Sequence, residues 1–325
     1  LIPPGRPGGA EGLAEVLIEE GCEFRVADTV PTPFFNHLGI VLARRIGMSG
    51  GELLDSTRAL NAMSAACAAA LRCFDIVHSL DSTNSEAMRR IRAGDCGPSL
   101  IVAEHQTAGR GRRGRTWVSP PGANLYMSLV WPIERRPDAL GGLSLVTALS
   151  VLRALKNSGL SGLEGLQVKW PNDIWLAGRK LAGILLESQH GGTDIIPVVI
   201  GIGLNVNMPA PLQLQIGQPV ADLAAAHGGP VDRSWLLGSL VSTLHEDLLR
   251  FGQHGFRDFK ADWQLHDALL GCAVEIIQGE ERQQGIHSGV DDCGALLLRT
   301  AGGLDRISGG ELAYSLRPQG SDGLP

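Results

Sequence analysis

Residues 109–115 read Gly-Arg-Gly-Arg-Arg-Gly-Arg, and five residues later the chain reads Pro-Pro-Gly. Gly109, Gly111 and Gly114 spell G-x-G-x-x-G, the spacing of a dinucleotide-binding turn. Such a turn must stand between a strand and a helix, so that pyrophosphate meets the helix N-terminus. Pro120-Pro121 cannot lie inside a helix, which excludes the doubly wound dinucleotide fold. A Walker loop needs Gly-Lys-Ser/Thr, which is absent. What remains is a glycine loop bearing Arg110, Arg112, Arg113 and Arg115. Four unpaired like charges on a glycine backbone repel one another, so the loop is expected to be mobile when empty. A bound carboxylate or phosphate would neutralise it, and bidentate contacts would order it. Closure would also shield a reactive intermediate from water. The alternative is a solvated basic turn.

Charge decides what kind of anion is in play. The 325 residues carry a net charge of −6, whereas a protein that coats nucleic acid is usually basic. The arginine cluster is therefore local and suits a small anion. The length allows two or three domains of ~100–200 residues, and 44% apolar content supports a packed core. Cys22, Cys67, Cys73, Cys96, Cys272 and Cys293 form no C-x-x-C, which reads as reduced thiols and a cytoplasmic setting. The nine histidines include no H-E-x-x-H, so no structural metal is expected. No stretch reaches the ~18 unbroken apolar residues of a membrane span, so no membrane partner is expected. No targeting segment is evident, but the chain opens on Leu1 rather than Met, so that absence decides little.

Pattern and punctuation give the order of elements. A helix is expected over 11–20; 28–51 has no clean period; 53–72 reads as helical. Strands follow at 74–80 and 100–104, separated by a helix running to residue 92, where Thr83 and Glu86 fit a capping box. A strand at 124–131 and a helix at 140–156 come next. Strands at 167–170, 174–176 and 181–187 flank a hairpin turn at 177–180, and 194–207 is one long strand or a strand pair. Helices at 232–251 and 255–270 precede a run of short strands and glycine turns over 272–316, the pattern of a small all-β barrel.

Several separated stretches together resemble biotin–protein ligases. They are Asp81-Ser-Thr-Asn84, Gln106 with Gly109–Arg115 and Trp117, and Gly122-Ala-Asn-Leu-Tyr126. Lys169-Trp-Pro-Asn-Asp173, Arg179-Lys-Leu-Ala-Gly-Ile-Leu185, Gly201-Ile-Gly-Leu-Asn205, Gly294-Ala-Leu-Leu-Leu298 and Gly309-Gly-Glu311 follow in the same order. The resemblance spans about residues 74–317, and it is the joint order of the motifs that is specific.

The resemblance implies an α+β fold: a mixed sheet with helices on one side, related to class II aminoacyl-tRNA synthetases, followed by an SH3-like barrel. The implied division is an N-terminal region at 1–73, a catalytic domain at 74–270, the terminal module at 271–317 and a tail at 318–325. It implies ATP, biotin and Mg²⁺, formation of biotinyl-5′-AMP, and transfer to a lysine of a biotin carboxyl carrier protein. A homodimer is allowed. By position, Ser82, Thr83, Asn84 and Gln106 would contact biotin, with Gly111, Gly183, Gly201 and Gly203 letting backbone approach the ligand. Arg110 and Arg112 would close over biotin and the adenylate, and Lys180 would stabilise charge at the carboxylate–phosphate junction. Arg115, Trp117, Asn172, Asp173 and Asn205 would lie near the nucleotide or its metal. Blander roles stand beside these: Thr83 as a helix cap, Asn172-Asp173 as a turn, Trp170 and Trp175 as core, Arg179 and Glu187 as a solvated pair. Lys169 is left outside the catalytic set, and no base for the transfer step is evident.

Some members of the family also repress transcription through an N-terminal winged helix-turn-helix. Residues 1–75 hold six arginines, no lysine and nine acids, a net charge of −3, opposite in sign to a phosphate-binding surface. A truncated or degenerate DNA-binding region is the preferred reading. Ligase with repressor activity, a lipoate ligase and a pure binding protein are the alternatives.

Overall fold

The computed structural model describes residues 23–27, 52–134, 140–189, 194–309 and 311–313. The helix expected at 11–20 and the unassigned stretch 28–51 lie outside them. The larger sheet is built from β1 (Glu23–Ala27), β2 (Cys73–Leu80), β3 (Ser99–Gln106), β4 (Leu125–Glu134), β5 (Leu166–Lys169), β6 (Asp173–Leu176), β7 (Arg179–Ser188) and β8 (Ile195–Leu204). Their order is β1-β2-β3-β4-β8-β7-β6-β5. The first three are parallel to one another, and every other pairing is antiparallel. Residues 194–207 thus supply one strand rather than a pair. Pro197 fits near its start because it lies opposite Pro132 of β4, where the ladder gives up donors on both sides.

Period-two alternation divides the sheet into two unlike faces. Leu100, Val102, Leu129, Trp131, Val198 and Ile200 face a large core. Over it lie the helices Ser56–Ala62 (α1), Ala65–Ala70 (α2), Leu143–Lys156 (α4) and Arg233–His254 (α5), with Thr83–Arg92 (α3) elsewhere. Helix α4 is buried nearly all round, because the sheet lies on one side of it and α5 on the other. The expectation of helices on one side needs correction. Helix α3 packs on the opposite face, where Ala87 and Ile91 meet Ile101, Val130 and Val199. It covers only part of that face.

The helical reading of 53–72 resolves into α1 and α2, because Ser64 interrupts it and caps α2 by accepting from the Cys67 amide. The second expected helix at 255–270 is a 3-10 turn, Phe256–Phe259, leading into Lys260–His266 (α6). The C-terminal strands are β9 (Ala273–Gln278), β10 (Glu281–Val290), β11 (Leu296–Thr300), β12 (Gly303–Ile307) and β13 (Glu311–Ala313), ordered β12-β11-β10-β9-β13. Among the described residues no pairing joins β12 to β13, so this is an antiparallel sheet rather than a closed barrel. It is fastened to the body by Trp170, whose indole N–H donates to the Gly294 carbonyl at 3.1 Å. The wholly buried His287–Asp267 pair, 2.6 Å apart, adds a second fastening.

No helix of the described residues is long and apolar enough to cross a membrane. The five described cysteines are free, and burial pushes the Cys67 and Cys73 thiols up to about 11, which keeps them protonated. One buried ion pair ties the segment before α1 to the body. Arg233 meets Glu104 at 2.8 Å, with side chains 6% and 4% exposed. It also donates to the carbonyls of Asn124 and Glu52, while Glu104 accepts from the Leu54 amide. Removing one partner strands the other charge without water, a loss of about 3–5 kcal/mol. Arg233→Met should lower the urea midpoint accordingly, and adding Glu104→Leu should recover most of the loss; equal midpoints for wild type and the single variant would refute this.

Candidate active site

The α3-free part of the second face is floored by small residues. Ser128 of β4 stands opposite Gly201 of β8, which pairs with Leu185 of β7; Gly203 pairs with Gly183 in the next rung. A side-chain carbon at Gly201 would lie 1.9 Å from the Asn84 Oδ1, and one at Gly203 would lie 2.4 Å from the Trp117 ring. Glycine is required there because neighbouring side chains rest directly on the strands. Above this floor lies a cleft of about 900 Å³, mouth included.

The first wall is the start of α3. Ser82 is its N-cap residue, with extended backbone and no side-chain cap bond. The capping-box expectation therefore does not hold: Thr83 lies inside the helix, and its hydroxyl points to Gln106 Oε1 at 3.2 Å. Glu86 turns instead to Arg89 and Arg90. The Thr83 amide also donates to Gln106 Oε1 at 2.9 Å, and Gln106 Nε2 donates to Ser119 at 2.9 Å. Asn84 is fully engaged as a donor: Nδ2 reaches the Leu185 carbonyl at 3.2 Å and Glu187 Oε2 at 2.9 Å. Its Oδ1 accepts from Ser128 at 2.7 Å. Asp81 positions this corner, because its carboxylate takes both Arg89 Nη atoms, at 2.8 and 2.7 Å, and the Ser82 amide. Those arginine hydrogen bonds hold the Asp81 carboxyl down at about 2.

The arginine loop forms the second wall. It is a hairpin closed by Gly111 N to Arg115 O at 2.7 Å and Trp117 N to Gly109 O at 2.9 Å. Its tip is the 3-10 turn Arg112–Gly114, where Arg113 takes φ 55°. No helix follows Gly114 before β4, as the proline pair requires. The premise that its arginines lack partners needs correction. Arg110 grips Glu187 with two hydrogen bonds of 3.0 and 2.8 Å. Arg112 donates to Asn172 Oδ1 at 3.0 Å, and Arg113 reaches the Ile277 carbonyl of the C-terminal sheet at 3.1 Å. These partners lie 77, 60 and 164 residues away, a separation that composition cannot bridge. Gly111 and Arg115 also line the cleft.

The third wall is the β6–β7 hairpin, turning at Ala177-Gly178 with φ of 48° and 74°. Lys180 and Gly183 are three apart and would face opposite ways on a regular strand. A register shift opposite Ile174/Trp175 turns Lys180 to the cleft side. Its Nζ lies 2.9 Å from Asp173 Oδ1 and 5.5 Å from the centre of the Trp117 ring. Asn172 is more than a turn residue: it holds Arg112 and donates to the Ile184 carbonyl at 2.7 Å. Trp170 is buried, yet it lines the cleft beside Lys169. Asn205 stands apart, in an adjoining pocket with Trp117 and Lys180. Asn205 Oδ1 and Trp117 Nε1 are buried without a protein partner, and each can serve a bound group.

The structure thus brings together every expected site residue, with Asn205 one step behind the rest. Several residues outside the expected set take part, Ser119 among them as the acceptor from Gln106. Ser128 closes the Thr83–Asn84 corner, and Glu187, expected to pair with Arg179, instead joins Arg110 to Asn84. Alternation was the available signal: 183, 185 and 187 share one face of β7, so an acid at 187 must face the same side as Gly183.

The sequence pattern of the Biotin/lipoate A/B protein ligase family matches residues 78–205. The chain is 40% identical over 237 residues to the "Bifunctional ligase/repressor BirA" of Salmonella typhimurium, covering 72% of each. It is 35% identical over 236 residues to the "Biotin--[acetyl-CoA-carboxylase] ligase" of Paracoccus denitrificans, covering 72% of this chain and 97% of that one. The fold superposes on the biotin protein ligase from Aquifex aeolicus in complex with biotin and ATP, with a TM-score of 0.61 and 29% identity, covering 74% of this chain and 97% of that one.

The Asp81–Arg89 clamp has a pH signature. A carboxyl depressed to about 2 in the folded protein stabilises above its unfolded value of about 3.9 and loses that contribution as pH falls towards 2. The difference in thermal midpoint between wild type and Arg89→Ala should therefore be constant above pH ~5 and shrink below ~4. A difference independent of pH would show that the clamp contributes nothing.

Proposed function

The chain belongs to the biotin/lipoate A/B protein ligase family as a biotin–protein ligase, and from that premise we propose how its cleft performs the two reactions. In the first, the biotin carboxylate attacks the α-phosphate of ATP and pyrophosphate leaves. In the second, a lysine amine of a biotin carboxyl carrier protein attacks the mixed anhydride and AMP leaves. The observation that carries the reading is the convergence of Arg110 and Arg112, from the arginine loop, with Lys180, from β7, around a floor of glycines. Two anions can be joined only where cations offset their repulsion.

Each group has a task. The ureido head of biotin needs both donors and acceptors. Gln106 retains one Nε2 proton beyond Ser119, and Asn84 Oδ1 retains a lone pair beyond Ser128. Ser82 and Thr83 frame the same corner. The bare strands at Gly183, Gly201 and Gly203, with Gly111 of the loop, admit the apolar bicycle and its chain. Lys180, aimed by Asp173, stabilises charge developing between carboxylate and phosphate. Arg110 and Arg112 close the loop over the adenylate, and Arg115, Trp117, Asn172 and Asn205 lie on the nucleotide side. Mg²⁺ would arrive with the triphosphate and neutralise its oxygens. Asp173 and Asn172 are the residues that would help hold such an ion beside the phosphates. No side-chain nucleophile is needed.

The mixed sheet with an antiparallel centre supports kinship with class II aminoacyl-tRNA synthetases, and the C-terminal strands are read as the family's SH3-like module, with the body ending near residue 270. Relatives from four bacteria are named ligase/repressors, but the net charge of −3 over residues 1–75 argues against a phosphate-gripping surface. We therefore propose ligase activity without operator binding, checked by a mobility shift in the presence of biotinyl-AMP.

The deciding assay is ATP–pyrophosphate exchange: dependence on biotin supports the reading, whereas dependence on lipoate, or no exchange, rejects it. Lys180→Ala should lower the exchange rate by about 100-fold or more, the loss typical of removing one charge-stabilising donor, with biotin affinity nearly kept. Equal losses in rate and affinity would contradict the assigned role.

A further inference from the structure

Glu187 joins Arg110 of the loop to Asn84 of α3, beside a longer 3.5 Å bond from Arg110 Nη1 to the Ser85 hydroxyl. One carboxylate takes both Nη atoms of Arg110, at 3.0 and 2.8 Å, and a proton of Asn84 Nδ2 at 2.9 Å. Asn84 is locked in turn. Its other Nδ2 proton goes to the Leu185 carbonyl, its Oδ1 accepts from Ser128, and it rests on the bare backbone of Gly201. An amide held on four sides has one orientation, and that orientation aims the acid. Arg110 sits between the Gly109 and Gly111 backbone groups that close the hairpin. Fixing its guanidinium therefore fixes the loop against the C-terminal end of β7.

The Glu187 and Arg110 side chains are 22% and 44% exposed. A pair this wet adds little to global stability. Its bidentate geometry gives direction instead, and direction matters where a loop must reach one closed position. A loop docked in advance gives up less freedom when substrate binds, and that saving appears in affinity rather than in the chemical step.

We propose that Glu187 is a positioning residue: braced by Asn84, it anchors the arginine loop at Arg110, as Asn172 and the Ile277 carbonyl hold its tip, and it sets how readily that loop closes over biotin and the adenylate. The proposal rests on the ligase reading above. It also differs from Arg110 acting as a free cation that waits for substrate charge.

The test compares wild type, Glu187→Gln, Arg110→Gln and the double variant, all as full chains. Glutamine keeps the shape and the bond to Asn84 while removing the charge. Without substrates, trypsin cleavage at Arg112 and Arg113, read by mass spectrometry, should become about tenfold faster in Glu187→Gln, with an unchanged thermal midpoint. In biotin-dependent exchange, KM for biotin should rise about fivefold while kcat stays within about twofold. Arg110→Gln should loosen the loop similarly, and the double variant should be no looser than either single one. Unchanged cleavage in Glu187→Gln, or effects that multiply in the double variant, would overturn the anchor. Wild type lacking biotin-dependent exchange would instead defeat the ligase reading, and the cleavage comparison would still decide whether Glu187 holds the loop.

Discussion

Asn84 lies on Gly201 and Trp117 lies on Gly203 so closely that a single methyl group at either glycine would collide with them. The rest of the site depends on this contact between side chains and bare strand. It lowers the floor of the cleft by the depth of a side chain. It brings the head of α3 and the exit of the arginine loop over the same two rungs of β8. It also leaves the Ser128 hydroxyl in reach of both Thr83 and Asn84. A sheet built from Val and Ile on that face would bury the same strands equally well and have no room for a ligand.

Charge in the cleft is arranged in pairs. Arg110 meets Glu187, Lys180 meets Asp173, and Arg112 meets the amide of Asn172. Cations aimed at developing negative charge act best when they are already oriented, and each partner here supplies orientation from a strand or a tight turn. The partners also moderate repulsion among the cations, which makes a folded basic hairpin compatible with a chain whose net charge is −6.

Long-range fastenings hold the three walls in register. Trp170 joins the turn before β6 to Gly294, and Arg113 joins the loop tip to Ile277, so the C-terminal sheet touches the site through two of its walls. On the other side, the Arg233–Glu104 pair links the approach to α1 with the end of β3, the strand that carries Gln106. The approach to α1 and the C-terminal sheet are thus each bonded to elements that form the cleft.

Local pattern determined much of this. Pro120-Pro121 excluded a dinucleotide helix whatever lay elsewhere, and alternation located β2, β3, β4 and β7 to within a few residues. The ordered motifs named the residues that line the cleft, because each is a short stretch whose chemistry is readable where it stands. Only the tertiary structure decided which charges meet. Glu187 is 77 residues from Arg110, and its nearer basic neighbours gave a more local pairing. The register shift that turns Lys180 towards the cleft, the placement of α3 on the second face and, among the described residues, the unpaired β12 and β13 edges of the C-terminal sheet are likewise properties of strand pairing. A sequence specifies which faces are apolar; the partner of an exposed charge is set by distances that exist only once the sheet has formed.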